Sequence, residues 1–309
     1  MSIWVLLEQV LIIFLDIAVG FGAAKIGIID SRGSGMLSNL VMMVTLPCTL
    51  LASANIDAAP GTVGHMLLGF ALLLILYIVC TVLCLLVARG LHLTAGQRAV
   101  FVAVAVLPNS AFIGIPLATA ILGAGTGAVY AASGILAYNL FFFTYVTHLF
   151  DPDSRFSIRS LITPTNVTTV IMALMLLTGL RLPASLNSFV TAMGNCTTPL
   201  ALMIVGVMLA GSDLRALVRN RFLYLVTLLR CVLFPLAFIG ALYLLPVDRT
   251  MAMGIAILAA CPAGSLGAVL ARQRNVEPEL ASQAVAHSTL FILITIPVLL
   301  SLAGGLFLE

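Results

Sequence analysis

The 309-residue chain is 62% hydrophobic and only 8% charged, with a mean hydropathy of +1.21. A soluble domain carries roughly a quarter charged residues because its surface faces water, so this composition excludes a water-soluble fold and makes a lipid bilayer the solvent. The net charge of +3 gives no footing for a nucleic-acid partner, and where the charges fall says more than their sum.

A spanning helix takes about 20 apolar residues, so this length accommodates roughly ten. A β-barrel would show short segments of alternating polarity, whereas runs such as residues 67–80 are apolar all round. In chain order the expected helices are α1 (residues 4–29), α2 (36–54), α3 (63–88), α4 (99–122), α5 (128–150), α6 (165–180), α7 (184–210), α8 (222–245), α9 (251–271) and α10 (278–307). A polar link, residues 151–157, separates α5 from α6. α1 is expected to be retained rather than cleaved as a signal peptide: no basic residue precedes it, Glu8 lies early in it, and its apolar stretch runs to about 25 residues.

The connections after α1, α3, α5, α7 and α9 hold Lys25 and Arg32, Arg89 and Arg98, Arg155 and Arg159, Arg215 with Arg219 and Arg221, and Arg272 with Arg274. The alternate connections hold only Arg181 and Arg249, and Arg230 lies inside α8. Basic residues accumulate in cytoplasmic loops. The pattern predicts a multi-pass protein of the cell (inner or plasma) membrane with both termini extracytoplasmic.

Asp16, near the middle of α1, is a candidate carrier of a coupling proton or ion; a basic partner, or a protonated acid with one hydrogen bond, are the alternatives. α2 carries Pro47 and α7 carries Pro199; α4 carries Pro108 and α9 carries Pro262. The step from Pro47 to Pro108 differs by only two residues from the step between Pro199 and Pro262. Five helices per half is odd, so a second half that repeats the first enters the membrane from the opposite side. The fold expected is therefore two inverted five-helix repeats, residues 1–157 and 158–309, with broken helices α4 and α9.

Interrupted helices at corresponding positions of inverted halves mark transporter binding sites. In α4, Pro108 and Pro116 flank Asn109, Ser110 and Gly114; in α9, Pro262 is followed by Ala263, Gly264 and Ser265. Two such breaks facing each other would aim half-helix amino ends at one spot, which favours an anion. Kinks with only a structural role are the competing reading.

Arg230 is costly inside α8, at about 2.5–3.5 kcal/mol on insertion scales. It needs an acceptor: a carboxylate, backbone carbonyls or an anionic substrate. Contact with substrate charge is favoured over snorkelling to the inner surface. His65, His92, His148 and His287 read as interfacial, near helix ends. The cysteines Cys48, Cys80, Cys84, Cys196, Cys231 and Cys261 sit in apolar runs without zinc-ligand spacing and read as small fillers. Residues 123–127, Gly-Ala-Gly-Thr-Gly, read as a tight turn between α4 and α5. Neither His-Glu-x-x-His nor Gly-x-Ser-x-Gly occurs, so no enzyme, metal or cofactor is expected.

With these residues in place, the chain resembles the auxin efflux carrier family, including its bacterial malonate and malate permease members. The likeness runs the whole length. It is most specific at Leu107-Pro-Asn-Ser-Ala-Phe-Ile-Gly-Ile-Pro116, next at residues 261–271 running into Arg272-Gln-Arg-Asn-Val-Glu-Pro-Glu279, and then at Arg230 with Pro235. The resemblance implies a sodium/proton-antiporter-like fold, with α1, α2, α6 and α7 as scaffold and α3, α4, α5, α8, α9 and α10 as a moving transport unit. It implies that Asn109 contacts a substrate carboxylate, with Asn166 a weaker candidate, and that a homodimer would pair through the scaffold helices. The short link between α5 and α6 departs from the long cytoplasmic loop of plant members and fits a prokaryotic-type carrier. The expected function is alternating-access transport of small organic anions, either mono- or dicarboxylates such as malonate and malate or auxin-like weak acids, with coupling to protons or sodium open. A bile-acid-type sodium symporter or cation/proton antiporter of similar fold is the alternative, and a membrane receptor or scaffold stands last.

Overall fold

The computed structural model describes residues 3–55, 61–154, 156–212 and 214–308; Arg155, one of the basic residues invoked for topology, lies outside them. The described chain is helical, with one isolated antiparallel bridge between Pro108 and Ala263. Among the described residues six helices are long and apolar enough to cross a membrane: α2 (Arg32–Ser53), α3 (Thr62–Gly90), α5 (Ala124–Phe150), α7 (Ala184–Ala210), α8 (Arg221–Leu244) and α10 (Pro278–Phe307). α1 covers Ile3–Lys25 and α6 Pro164–Thr178. Two further helices are each built in two pieces, α4a (Ala95–Val106) with α4b (Ser110–Leu122) and α9a (Arg249–Ala260) with α9b (Ser265–Arg274).

Where the boundaries differ from expectation, capping explains the shift. α2 begins several residues early because Asp30 Oδ1 accepts the Gly33 N–H at 2.6 Å. α4a begins at Ala95 because Thr94 and Gln97 form a reciprocal capping box. α9b runs on to Arg274, where Asn275 turns left-handed and ends it. At the α4–α5 turn Gly123 takes φ 85°, so the tight connection read from the glycine run is present.

Proline shapes the helices around the centre in a consistent way. Pro47, Pro116 and Pro235 each sit in the first turn of a helical stretch preceded by a π-helical segment, residues 41–45, 110–114 and 229–233. The proline ring clashes with the carbonyl four residues back and offers it no donor. Widening the preceding turn moves that carbonyl aside, which is a common setting for π-bulges. α5 carries a fourth π segment, residues 142–146, without a proline.

α1 packs along α7 through small residues. A Cβ on Gly206 would lie 2.0 Å from the Ile17 carbonyl oxygen, and one on Gly20 would lie 2.1 Å from that of Met203, so the backbones meet directly, as small residues allow in membranes. α2 meets α7 where Thr49 Oγ1 lies 2.8 Å from Thr197 Oγ1 and also reaches the Gly194 carbonyl. Lys25 Nζ donates to the Ala210 carbonyl at the end of α7. On the other side α3, α4 and α5 pack on one another and on α9a, and α10 packs on α8 and both parts of α9. The outer faces are apolar, with Leu67, Ile75, Ile78 and Val82 of α3 and Val170, Leu174 and Leu177 of α6 all exposed. Lipid, rather than water, is the solvent that stabilises such a surface.

The α1–α7 contact yields a direct test. Gly206→Val should destabilise the purified protein by about 1–3 kcal/mol, the usual effect of forcing extra methyl groups into a packed contact, seen as a lower thermal midpoint in detergent. An unchanged midpoint would mean that α1 and α7 do not pack this closely.

Candidate functional site

α4 and α9 cross at their breaks. The Asn109 N–H donates to the Pro262 carbonyl at 2.7 Å and the Gly264 N–H donates to the Leu107 carbonyl at 2.9 Å. The sequence breaks here because Pro108 and Pro262 disfavour a helical residue before them. Leu107 (φ −91°, ψ 120°) and Cys261 (φ −65°, ψ 150°) are both extended. Position 264 has to be glycine, since a Cβ would sit 2.9 Å from the Tyr138 hydroxyl and 3.0 Å from the Pro108 carbonyl oxygen.

Four half-helix ends converge at this point, and they are treated differently. The two carboxyl ends are gathered by Arg230, which is fully buried. Its Nη1 donates to Val106 O at 2.7 Å, its Nε to Cys261 O at 3.1 Å, and its Nη2 to Ala259 O. A guanidinium thus sits where two helix dipoles are negative. The two amino ends carry no charged partner among the described residues. At α4b, Asn109 Oδ1 accepts the Phe112 N–H at 3.2 Å; at α9b, Gly264 supplies no side-chain cap.

Beside the amino ends lies a cavity of about 260 Å³. The crossing contributes Pro108, Asn109, Ser110, Gly264 and Ser265; α5 contributes Ile135, Tyr138, Asn139 and Phe143; α2 contributes Met42, Met43 and Leu46. Thr163, Pro164 and Thr165 close it from the start of α6. None of its lining residues is an acid or a base. The Tyr138 hydroxyl is buried without a hydrogen-bond partner among the described residues, and Asn109 commits its oxygen to the cap, leaving its amide N–H groups as donors.

Of the residues singled out in the sequence, Pro108, Asn109, Ser110, Gly264 and Ser265 line the cavity. Pro262 and Ala263 lie behind them and form the bridge. Gly114 serves packing, because a Cβ there would meet Leu258 at 2.8 Å. Arg230 lies on the carboxyl ends and is not a lining residue. Asn166 is one layer back: its Oδ1 accepts from Asn139 Nδ2 at 2.6 Å and its Nδ2 donates to Leu161 O. Asp16 is half-buried on α1 beside the exposed Leu15, away from the cavity, with no hydrogen bond or ion pair among the described residues. Sequence reasoning missed Tyr138, Asn139 and the methionine pair. The adjacent Tyr-Asn in an otherwise apolar α5 was the available signal for the first two.

The sequence profile of the family described as "membrane transport protein" matches residues 5–157 and 153–300. The chain belongs to this family, the auxin efflux carriers. An uncharacterized transporter from Methanothermobacter thermautotrophicus is 23% identical over 304 residues, which cover 94% of this chain and 96% of that protein. In this membrane transport protein the crossing is therefore a feature of a transporter embedded in lipid, where each backbone group freed by a helix break needs a partner from the protein.

That requirement can be tested at Arg230. Arg230→Met strands three buried carbonyls, each worth about 1–3 kcal/mol when left unsatisfied, and should lower the thermal midpoint more than Arg230→Lys, which keeps the charge and part of the donor set. A methionine variant as stable as the wild type would mean that the arginine is not what holds the carboxyl ends.

Proposed function

We propose that this protein is a secondary transporter that moves small organic anions across the cell membrane by alternating access. The observation that carries the reading is the meeting of two uncharged half-helix amino ends, with Asn109 between them, at one cavity. Helix amino ends bind anions through their free N–H groups and their dipoles. Asn109, Ser110, Tyr138 and Ser265 add neutral donors. A carboxylate held this way loses its hydration to fixed dipoles rather than to a cation. A cation/proton antiporter of similar fold would need carboxylates here, and the lining contains none.

Within this class the lining favours one acidic group on an apolar body. Met42, Met43, Leu46, Phe112, Ile135 and Phe143 make most of the wall apolar. A second carboxylate would enter it with no lysine or arginine to meet it, at a high desolvation cost. Auxin-like monocarboxylic acids are therefore preferred over malonate and malate.

The proposed architecture has ten spans in two inverted halves, residues 1–157 and 158–309, with both termini extracytoplasmic. α1, α2, α6 and α7 form the scaffold, and α3, α4, α5, α8, α9 and α10 the moving unit. The mutual packing of α1 with α7 and of α2 with α6 and α7 supports this division, and the cavity is lined from both groups. A homodimer would form through the scaffold, and Asp16 on α1 would face that interface or a coupling ion.

Uptake of radiolabelled indole-3-acetate, phenylacetate, malonate and malate into proteoliposomes should favour the first two. Asn109→Ala should weaken their binding by about 1–3 kcal/mol, the loss of one buried donor to a charged acceptor, while the variant still folds. Saturable uptake of none of the four acids would end the organic-anion reading. For topology, a cysteine placed at Ser157 should react with an impermeant reagent only after the cells are opened. Labelling of intact cells would reverse the orientation.

A further inference from the structure

His287 lies about 14 Å along α10 from its start, at 1.5 Å rise per residue, and its ring is 2% exposed. It stacks on Phe291 at 4.7 Å and stands edge-on to Tyr224 at 4.6 Å. Nδ1 lies 2.6 Å from the Thr227 hydroxyl, and Nε2 is buried with no partner among the described residues. Buried polar atoms are almost always paired, so an orphan ring nitrogen needs an explanation. Of the two tautomers, the one with the proton on Nδ1, donating to Thr227, is the cheaper, because it orphans a lone pair rather than an N–H.

This imidazole is tied to the crossing. The next residue, Ser288, accepts the Ala263 N–H on its hydroxyl at 3.2 Å, and its carbonyl is met by Cys231 Sγ at 3.8 Å. Ala263 precedes the cavity-lining Gly264, and Cys231 follows Arg230. The titratable groups on the elements packed around His287 include Arg221, Tyr224, Arg230, Cys231 and Tyr243 of α8, Arg249 of α9a with Cys261 just after it, Arg272 and Arg274 of α9b, Glu8, Asp16 and Lys25 of α1, Arg98 of α4a, Arg219 ahead of α8 and Glu279 of α10 itself. None of these is hydrogen-bonded or ion-paired to the ring in the described structure.

We propose that His287 is the proton-coupling residue of this transporter: it takes a proton on Nε2 when an anion occupies the crossing cavity. The proton comes from bulk water and adds to the Nε2 lone pair, while Nδ1–H continues to donate to Thr227. With the cavity empty, a second cation buried in a core that already holds the Arg230 charge, with no counter-charge on the ring, is unfavourable and the ring stays neutral. An anion at the amino ends supplies the compensating charge, so that one proton and one negative charge are occluded together with no net charge added. The inference takes the nature of the anion from the carboxylate reading, and one arm of its test does not depend on that reading.

Binding of phenylacetate to the purified protein near neutral pH is measured calorimetrically in two buffers of different ionisation enthalpy. The wild type should show buffer-dependent heats that report proton uptake. His287→Asn, which retains a partner for Thr227, should bind more weakly and with heats that coincide. If that variant fails to fold, His287→Gln makes the same comparison. Coinciding heats in the wild type, or buffer dependence that persists in the variant, would overturn the proposal. Absence of phenylacetate binding would count against the carboxylate reading instead. The histidine is then decided by nitrogen-15 NMR of the ligand-free protein, where the resonance lost on substitution should be that of a neutral ring protonated on Nδ1. An imidazolium in the ligand-free protein would overturn the coupling role.

Discussion

Breaking two helices in the middle of a membrane leaves carbonyls and amides that lipid cannot satisfy, and the grip of Arg230 on Val106, Ala259 and Cys261 is what makes the breaks tolerable here. Three donors of one planar group reach three carbonyls from two different helices, a task suited to the rigid fork of arginine. Once the carboxyl ends are held, the strand-like exchange between Asn109 and Pro262 and between Gly264 and Leu107 fixes the crossing. The amino ends are then left over, positive and uncapped by charge. On the proposed reading, one cation prepares an anion site at a distance by taking up the opposite poles.

The same arrangement accounts for the lining of the cavity. With Arg230 committed to backbone, the lining of the cavity holds no formal charge, and recognition of the proposed anion would fall to dipoles and neutral donors. Such a site can release its ligand more readily than one built on a direct ion pair, which a carrier requires. Apolar residues from α2 and α5 shape the remainder, and the π segments in both helices lie at or beside these positions, with Met42 and Met43 in one and Phe143 in the other. Flexible methionines suit a wall that must adapt to its contents.

Much of this was legible in the sequence because membrane folds leave coarse signals. The apolar runs, the prolines at 47, 108, 199 and 262, and the small polar residues after each break are local features, and the crossing of α4 with α9 follows from them. The direction of Arg230 was not legible. An arginine within an apolar helix states that an acceptor exists but not which one, and the choice between substrate and carbonyl depends on how far the α4a and α9a ends lie from α8. Asn166 shows the same limit: its composition suits substrate contact, yet Asn139, on another helix, reaches it first. Distances between helices, rather than residue types, decided both cases.

Histidine 287 shows a different failure of sequence reading. Counted from the end of its helix it lies near an interface, and a histidine there is ordinarily solvated. The structure buries it because α8 and α9 pack over the first turns of α10, carrying Tyr224 and Thr227 onto the ring. Burial changes what protonation means. At an interface a charge is met by water and has little consequence for its neighbours, whereas in the buried core it must be balanced by another charge or not form at all. On the proposed reading that balance comes from the cavity lined by Gly264, one residue beyond Ala263, whose own N–H rests on Ser288. The proposed coupling would run through this short chain of contacts, and by reciprocity an anion that favours the charged ring would itself be favoured by acid.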